Sequence, residues 1–408
     1  MKIKYFLLIG FLLIQTSFPQ ENEIVRILTY NLLNYPDNYN IRDQYYKKVI
    51  DEINPDIVVV QEITSQTGVN IFTSDVLGTS FAAGTFINGP DTDNAIFYKY
   101  SSFTFISNVA ISTSLRNISQ FTLYNNLTLD TLIIYSVHLK ASDGSSNEQQ
   151  RLNEVTTLRN ATDALPYGQN YIVVGDFNIY YSGEPAYQKL IDQSSSGYFV
   201  DPLIAGNWHN NSVYSSYHTQ STCNLTSCPN GGSNGGLDDR FDMILISQAV
   251  SDTGGIEFIS GSYTPFGNDG QHFNKSINEP PFNIITQEIA NALFQSSDHL
   301  PVFADFDFGP VSEVNDINYT ITTFNLYQNY PNPFNPTTKI RFELPHSSYT
   351  KLVVYDLLGR EVKILFEGEA FAGMNEVDFD AENLAAGIYL YTLFTDDFIA
   401  TKKLMLLK

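Results

Sequence analysis

Residues 171–178 read "YIVVGDFN": an apolar run that breaks into Gly175, Asp176 and Asn178. A short continuous apolar run bounded by turn-forming residues marks a strand buried on both faces. Its polar residues then sit at a strand end, where a rigid scaffold can hold functional side chains. The pattern recurs along the chain. "IVRILTY" (24–30) gives way to Asn31, and "DIVVVQE" (56–62) ends on Glu62. "TLIIYSVHLK" (131–140) runs into His138 and Lys140, "FDMILIS" (241–247) opens on Asp242, and "QSSDHLPVFADF" (295–306) places Asp298 and His299 before an apolar run. "NAIFYKY" (94–100) reads as a further strand, and helices are expected around Arg42–Ile53 and Glu148–Ala164. Many strands with few helices argue for an α+β sandwich of sheets flanked by helices. If the strands lie in facing sheets, their ends gather at one edge.

That edge would collect carboxylates, amides and imidazoles. Hard divalent cations prefer such oxygens, and Mg²⁺ takes one or two carboxylates with water and substrate phosphate completing its shell. Glu62 is the best ligand candidate, with Asp298 and Asn31 beside it. Two histidines, His138 and His299, suggest proton transfer near neutral pH, and Asp242 could orient His299. Taken singly each residue has a plainer reading: a solvated turn acid, a packing histidine, a "GDFN" turn. Their shared place at strand ends favours a site.

The 408 residues are too many for one ordinary core, so two domains of unequal size are expected. With 43% hydrophobic and 16% charged residues there is ample material for cores. The net charge is -22, and residues 21–325 alone hold 12 Lys and Arg against 33 Asp and Glu. Such a balance opposes non-specific attraction to a polyanion. A phosphodiester substrate would therefore need divalent ions to supply positive charge. "MKIKYFLLIGFLLIQTSFPQ" (1–20) has the basic start, apolar run and polar end of a secretory signal, the alternative being an uncleaved anchor. Cys223 and Cys228 would close a small disulfide loop after export, or, with His218, begin an incomplete metal site. They lie in a Gly- and Ser-rich loop (216–242) that could shape a substrate groove, with Tyr217 and His218 stacking on a base. Residues 309–323 have the polar character of a linker, and 324–408 read as a small all-β sandwich.

"TYNLLN" (29–34), "VVVQE" (58–62), "VHLKAS" (137–142), "GDFN" (175–178), "DDRFDMIL" (238–245) and "SDHLPV" (297–302) follow the order found in the endonuclease/exonuclease/phosphatase superfamily. The resemblance spans residues 24–308. It implies a four-layered α/β sandwich of the DNase I type and Mg²⁺-dependent cleavage of phosphate esters, with Mn²⁺ or Ca²⁺ as substitutes. By motif, Asn31, Glu62 and Asp298 resemble metal-site residues. His138 resembles the histidine that contacts the scissile phosphate or protonates the leaving group. Asp176 and Asn178 resemble the pair that positions water and phosphate, Asp242 the acid behind the catalytic histidine, and His299 that histidine. The base is either His299 or Asp176. Arg240 is the expected phosphate contact, with Lys140 second, while Arg151 reads as structural. The tail blocks "VVYDLLGREV" (353–362), "AAGIYLYTLF" (385–394) and "TKKLMLLK" (401–408) resemble the sorting domain of the Por, or type IX, secretion system. A carbohydrate-binding or fibronectin-like module is the alternative there.

The expected protein is a secreted, monomeric endonuclease acting on extracellular DNA or RNA. A sphingomyelinase-like phospholipase and a non-catalytic binding protein are the alternatives, the former needing an exposed apolar hairpin for which Trp208 is slight support.

Overall fold

The computed structural model describes residues 22–309 and 324–407, apart from 38–39, 167, 204–205, 252–254, 327–328, 330–331, 333, 346, 371–372 and 396–397. The expected signal, and the linker beyond Gly309, lie outside the described residues. The chain divides into two compact units.

The first unit opens with β1 (Glu23–Tyr35), α1 (Asp43–Ile53), β2 (Ile57–Ile63), α2 (Gln66–Ile71), β3 (Phe81–Ala83) and β4 (Asp93–Lys99). It continues through β5 (Phe103–Ile111), β6 (Ile118–Asn125), β7 (Thr131–His138), α3 (Ser145–Asp163), β8 (Tyr171–Asp176) and α4 (Pro185–Ile191). It closes with β9 (Phe199–Val200), β10 (Asp242–Ser247), α5 (Gln248–Ser251), β11 (Ile256–Phe258), β12 (Thr264–Pro265), α6 (Gln287–Ser296) and β13 (Val302–Phe308). One sheet has the order β11-β13-β1-β2-β4-β3, with β12 beside β13; the other runs β5-β6-β7-β8-β10-β9.

Strand alternation builds the layers. In β2, Val58 and Val60 join Tyr46, Val49 and Ile53 of α1 and Leu293 of α6. Ile57 and Val59 face the other way, packing with Ile134, Ile172 and Ile244 of the second sheet. That sheet's outer face, Tyr135, Val173 and Met243, packs on Val155 and Leu158 of α3 and Leu190 of α4. The result is the four-layered α/β/β/α sandwich. The helices at 43–53 and 145–163 fall close to their expected places, whereas β5, β6, α4 and α6 were not read from the sequence.

Strands buried on both faces are apolar on both, so hydrophobic alternation fixes their register only weakly. Buried polar groups supply the missing information. The Gln61 amide donates to Ser136 Oγ (3.1 Å) in β7 and to Thr29 Oγ1 (3.2 Å) in β1. All three side chains are buried between the sheets. This bridge lies one residue before Glu62 and two before His138. Gly175 makes a second demand: at φ +132 its α-carbon lies so near β7 that an added β-carbon would stand 2.1 Å from the Val137 carbonyl oxygen. The glycine of "GDFN" is thus a strand residue under close approach rather than a turn residue.

The second unit holds β14 (Asn325–Leu326), β15 (Thr337–Leu344), β16 (Ser348–Tyr355), β17 (Glu361–Ala370), β18 (Gly373–Asp380), β19 (Gly387–Phe394) and β20 (Ile399–Leu406). They form sheets ordered β14-β15-β18 and β17-β16-β19-β20 around a core that includes Ile340, Leu352, Phe379, Tyr391 and Leu404.

Replacing Gln61 with leucine leaves the Ser136 and Thr29 hydroxyls buried and poorly paired. The expected cost is about 1–3 kcal/mol of stability, read from the urea midpoint. An unchanged midpoint would remove the bridge as a structural determinant.

Candidate active site

The parallel pairs β1–β2 and β7–β8 end at the same edge of the sandwich, and their antiparallel neighbours β13 and β10 begin there. Register then does the placing. His138 and Asp242 each pair directly with Asp176 across the second sheet. Glu62, His138, Asp176, Asn178, Asp298 and His299 line one 430 Å³ cavity, joined by Leu33, Asn34, Ala141, Gln220 and Gly231–Ser233.

Asp176 is the centre. Its Oδ2 lies 3.6 Å from His138 Nε2 and 3.8 Å from His299 Nε2, and it accepts the Asn31 amide at 3.1 Å. Its Oδ1 accepts the Asn178 backbone N–H at 3.1 Å. Asn178 also donates its side-chain amide to the Leu139 carbonyl (3.2 Å), which ties the end of β8 to that of β7. Burial, with the neighbouring Asp242 and Glu62 charges, raises the Asp176 carboxyl to about 7 against the opposing pull of His299.

His299 Nδ1 meets Asp242 Oδ2 at 2.7 Å. Burial alone would lower this imidazole, but the Asp242 and Asp176 charges override it and hold the ring well above its ordinary pKa. The Gln220 amide contacts Nε2 at 2.7 Å, and a charged ring requires the amide oxygen to face it. His138 is driven the other way, lowered by burial and by the Arg116 and His299 charges. The two imidazoles therefore differ: one favours its proton and the other resists it.

Glu62 adopts φ +59, a left-handed conformation that is uncommon outside glycine and turns its carboxylate off the strand. It accepts the Asn31 amide (3.1 Å) and the Asn34 N–H (2.9 Å). Arg42 holds the rim by donating to the Leu32, Leu33 and Ser296 carbonyls. Asp298 Oδ2 accepts the Ser233 N–H at 2.8 Å, while its buried Oδ1 has no hydrogen-bond partner among the described residues. The loop that supplies Ser233 carries the Cys223–Cys228 disulfide.

Among the described residues, no three His, Cys, Asp or Glu side chains form a closed metal cage. The donor set still fits a hard divalent ion, because Glu62 and the unpaired Asp298 oxygen face one cavity and Mg²⁺ needs only one or two carboxylates. Asn31 sits between the two carboxylates: its amide donates to Glu62 and Asp176, and its Oδ1 accepts the Leu33 N–H at 2.9 Å and keeps a second lone pair.

Arg240 is a correction. It is 2% exposed, paired through both Nη atoms with Asp201 (2.7 and 2.8 Å), and lies over the Trp208 ring. It holds the core beneath the site instead of reaching a phosphate. Lys140 is likewise diverted: Nζ donates to the Ala141 carbonyl at 2.9 Å, and Ala141 rather than Lys140 lines the cavity. His218 cannot stack on a base, being fully buried with Nε2 on the Trp208 carbonyl (2.8 Å). Trp208 is 1% exposed and belongs to the core. Arg151, fully buried against Glu184 and the Lys140 and Ser142 carbonyls, is structural as expected. Gln220 carries no local signal in the sequence that would mark it as a neighbour of His299.

Arg240→Ala strands a buried carboxylate, so a loss of about 3–5 kcal/mol in stability is expected, with activity per folded molecule retained. A raised KM at unchanged Tm would restore the phosphate-contact role. Burial opposes ionisation of Asp201, but Arg240 prevails and holds its pKa below the ordinary value. The pair's contribution is therefore complete above about pH 4 and declines as pH falls below it.

No curated relative matches the chain. A solved structure of zebrafish (D. rerio) TDP2 complexed with a single-strand DNA product is 16% identical, with 69% of this chain and 98% of that one covered, at TM-score 0.46. A mannosyl-6-phosphatase from Bacteroides thetaiotaomicron is 15% identical, covering 69% and 99%, at TM-score 0.44. At such distances neither decides a substrate. Residues 328–407 match the model of the secretion system C-terminal sorting domain, which directs the chain through type IX export to the cell surface or beyond. Residues 28–299, two-thirds of the chain, match the endonuclease/exonuclease/phosphatase family model, and the chain belongs to that family as a phosphoric ester hydrolase.

Proposed function

We propose that the protein is a divalent-metal-dependent phosphodiesterase that cleaves extracellular DNA or RNA, with catalysis in residues 21–308 after a signal at 1–20. The observation that carries this reading is the position of Asp176 Oδ2 between two imidazoles at 3.6 and 3.8 Å. A phosphate seated there meets a carboxylate able to orient water and, on either side, ring nitrogens able to contact its oxygens.

Asp176 is the better base on geometry, since His299 Nε2 is already engaged by Gln220. It orients the attacking water and receives its proton as the new P–O bond forms, while the opposite P–O bond breaks and the leaving oxygen takes a proton from solvent water. His299, held between Asp242 and Gln220, keeps its positive charge beside the phosphate and opposes the negative charge that develops there. His138 Nε2 faces Asp176 and Glu62, so it contacts the phosphate from the opposite side. Glu62 and Asp298 would hold the cation. When bound, that ion adds positive charge against the phosphoryl oxygens. An acidic domain whose Arg240 and Lys140 are engaged internally has particular need of it. Export supports a polymer found outside the cell, and the burial of Trp208 takes away the one residue that hinted at a membrane-binding surface.

The test uses the full chain with Mg²⁺ or Mn²⁺ on plasmid DNA, RNA, sphingomyelin and bis(p-nitrophenyl) phosphate. Cleavage of nucleic acid is expected, with Asp176→Ala and His299→Ala each lowering kcat by about a hundred- to ten-thousand-fold. Lipid hydrolysis without nucleic-acid cleavage would replace the nuclease reading, and inactivity on every substrate would favour a binding role. Chelation with EDTA should abolish turnover and added Mg²⁺ or Mn²⁺ should restore it; full activity in EDTA would sink the metal dependence.

A further inference from the structure

One imidazole close to the cleft takes no part in the scheme above. His209 Nδ1 meets Asp239 Oδ1 at 2.8 Å, and the ring is 49% exposed while the carboxylate is only 9% exposed. A carboxylate on one ring nitrogen sets the tautomer and orientation of an imidazole.

Both members of the pair are tied to elements that line the cavity. Trp208 is buried with its indole N–H on the Ile179 carbonyl (2.8 Å), and the His209 backbone N–H donates to the Tyr180 carbonyl (3.2 Å). Residues 208 and 209 are thus zipped along the two residues that follow Asn178, with Trp208 turned inward and His209 outward. On the other side, Gln220 pairs with His299 and Asp239 at once, exchanging backbone hydrogen bonds of 3.1 Å with Asp239. Residues directly opposite one another across strands present their side chains on one face, so Asp239 continues the row that His299 and Gln220 begin. Two strand spacings, about 10 Å, separate the backbones of His299 and Asp239.

Aromatic packing makes His209 a platform. Its ring meets Tyr180 edge to face at 5.0 Å and 80°, Tyr180 meets Phe241 at 4.9 Å and 78°, and the Arg151 guanidinium lies over the Tyr180 ring. An imidazole braced by a phenol ring and by a carboxylate has already lost much of its rotamer freedom, so stacking on it costs little further entropy. Charge decides what the platform takes. Burial raises the Tyr180 hydroxyl to about 12, and the Asp239, Asp143 and Asp176 charges add to the rise against the pull of Arg151. A flank with that many carboxylates repels a phosphate and accepts a neutral ring, and every nucleobase has a π-face.

We propose that the exposed part of the His209 ring stacks against the nucleobase adjoining the scissile phosphate on the Gln220 side, the role expected from the sequence for His218. This rests on the phosphodiesterase reading and deepens it. The substrate is a polynucleotide held by a base as well as by its phosphates.

The experiment compares the full chain with its His209→Ala, His209→Phe and His209→Gln variants, with Mg²⁺, on two single-stranded oligomers of equal length. One carries bases and the other is an abasic deoxyribose phosphate chain. Loss of one stacked base should lower the base-bearing-to-abasic ratio of kcat/KM about 5- to 100-fold in His209→Ala, carried by KM. His209→Phe should restore most of the ratio and His209→Gln little of it, with Tm within a few degrees of the parent. An unchanged ratio, equal losses on both oligomers, or recovery by Gln but not by Phe overturns the proposal. If the parent cleaves neither these oligomers nor RNA, the nuclease reading fails separately, and fluorescence anisotropy with both labelled oligomers in EDTA decides the His209 question. Tighter binding of the base-bearing oligomer by the parent than by His209→Ala then upholds the stacking site, and equal or absent binding removes it.

Discussion

A buried amide midway between the two sheets constrains their alignment. Gln61 reaches across the interface to Ser136 while also meeting Thr29 on its own sheet. Apolar faces can slide over one another at little cost, because hydrophobic burial is non-directional. A buried amide cannot, since losing its partners costs the desolvation of each group left behind. The bridge stands beside Glu62 and close to His138, so it fixes the spacing of the two strand ends on which the polar chemistry depends. Asn94, bonded to the Ser136 backbone, extends the same constraint to β4.

The strand ends then face an electrostatic problem. Glu62, Asp176, Asp242 and Asp298 crowd around two imidazoles at the mouth of a low-dielectric core. Some of the repulsion is absorbed by protons, as the raised Asp176 and His299 show. Some is absorbed by dipoles, with the Asn31 amide and the Asn34, Asn178 and Ser233 N–H groups all aimed at carboxylate oxygens. What remains is suited to a cation, which also answers the shortage of free basic side chains in the domain. The positive φ of Glu62 and Asn178 and the crowding at Gly175 fit this picture, because strain of this kind persists where surrounding structure over-determines it.

Much of the arrangement was legible beforehand because buried strands leave a plain mark. "VVVQE", "YIVVGDFN" and "SDHLPV" each join an apolar run to a polar end, and the structure brings Glu62, Asp176, Asn178, Asp298 and His299 to one cavity. The mistaken assignments share a physical cause. Arg240 and Lys140 stand beside the motifs in sequence, but whether a cation faces outward depends on partners far along the chain, and Asp201 lies 39 residues from Arg240. A loop rich in Gly and Ser leaves a stacking role open to His218, yet the ring is enclosed with its nitrogens on the Trp208 and Leu237 carbonyls. His209, in "NWHNN", belongs to no motif, and its place beside the cleft became visible only when residues 208 and 209 were set against Ile179 and Tyr180.

The sequence by itself determined the buried strands β1, β2, β7, β8, β10 and β13, the polar residues at their ends, that two domains follow one another, and that the first carries a large negative charge. These follow from local pattern and composition, which need no knowledge of neighbours. Only the tertiary structure decided that Asn31 braces two carboxylates, that His138 and His299 hold their protons differently, and that Arg240 and Lys140 are engaged internally. Those properties depend on distance and burial, and both are set by strands and loops that lie far apart in the chain.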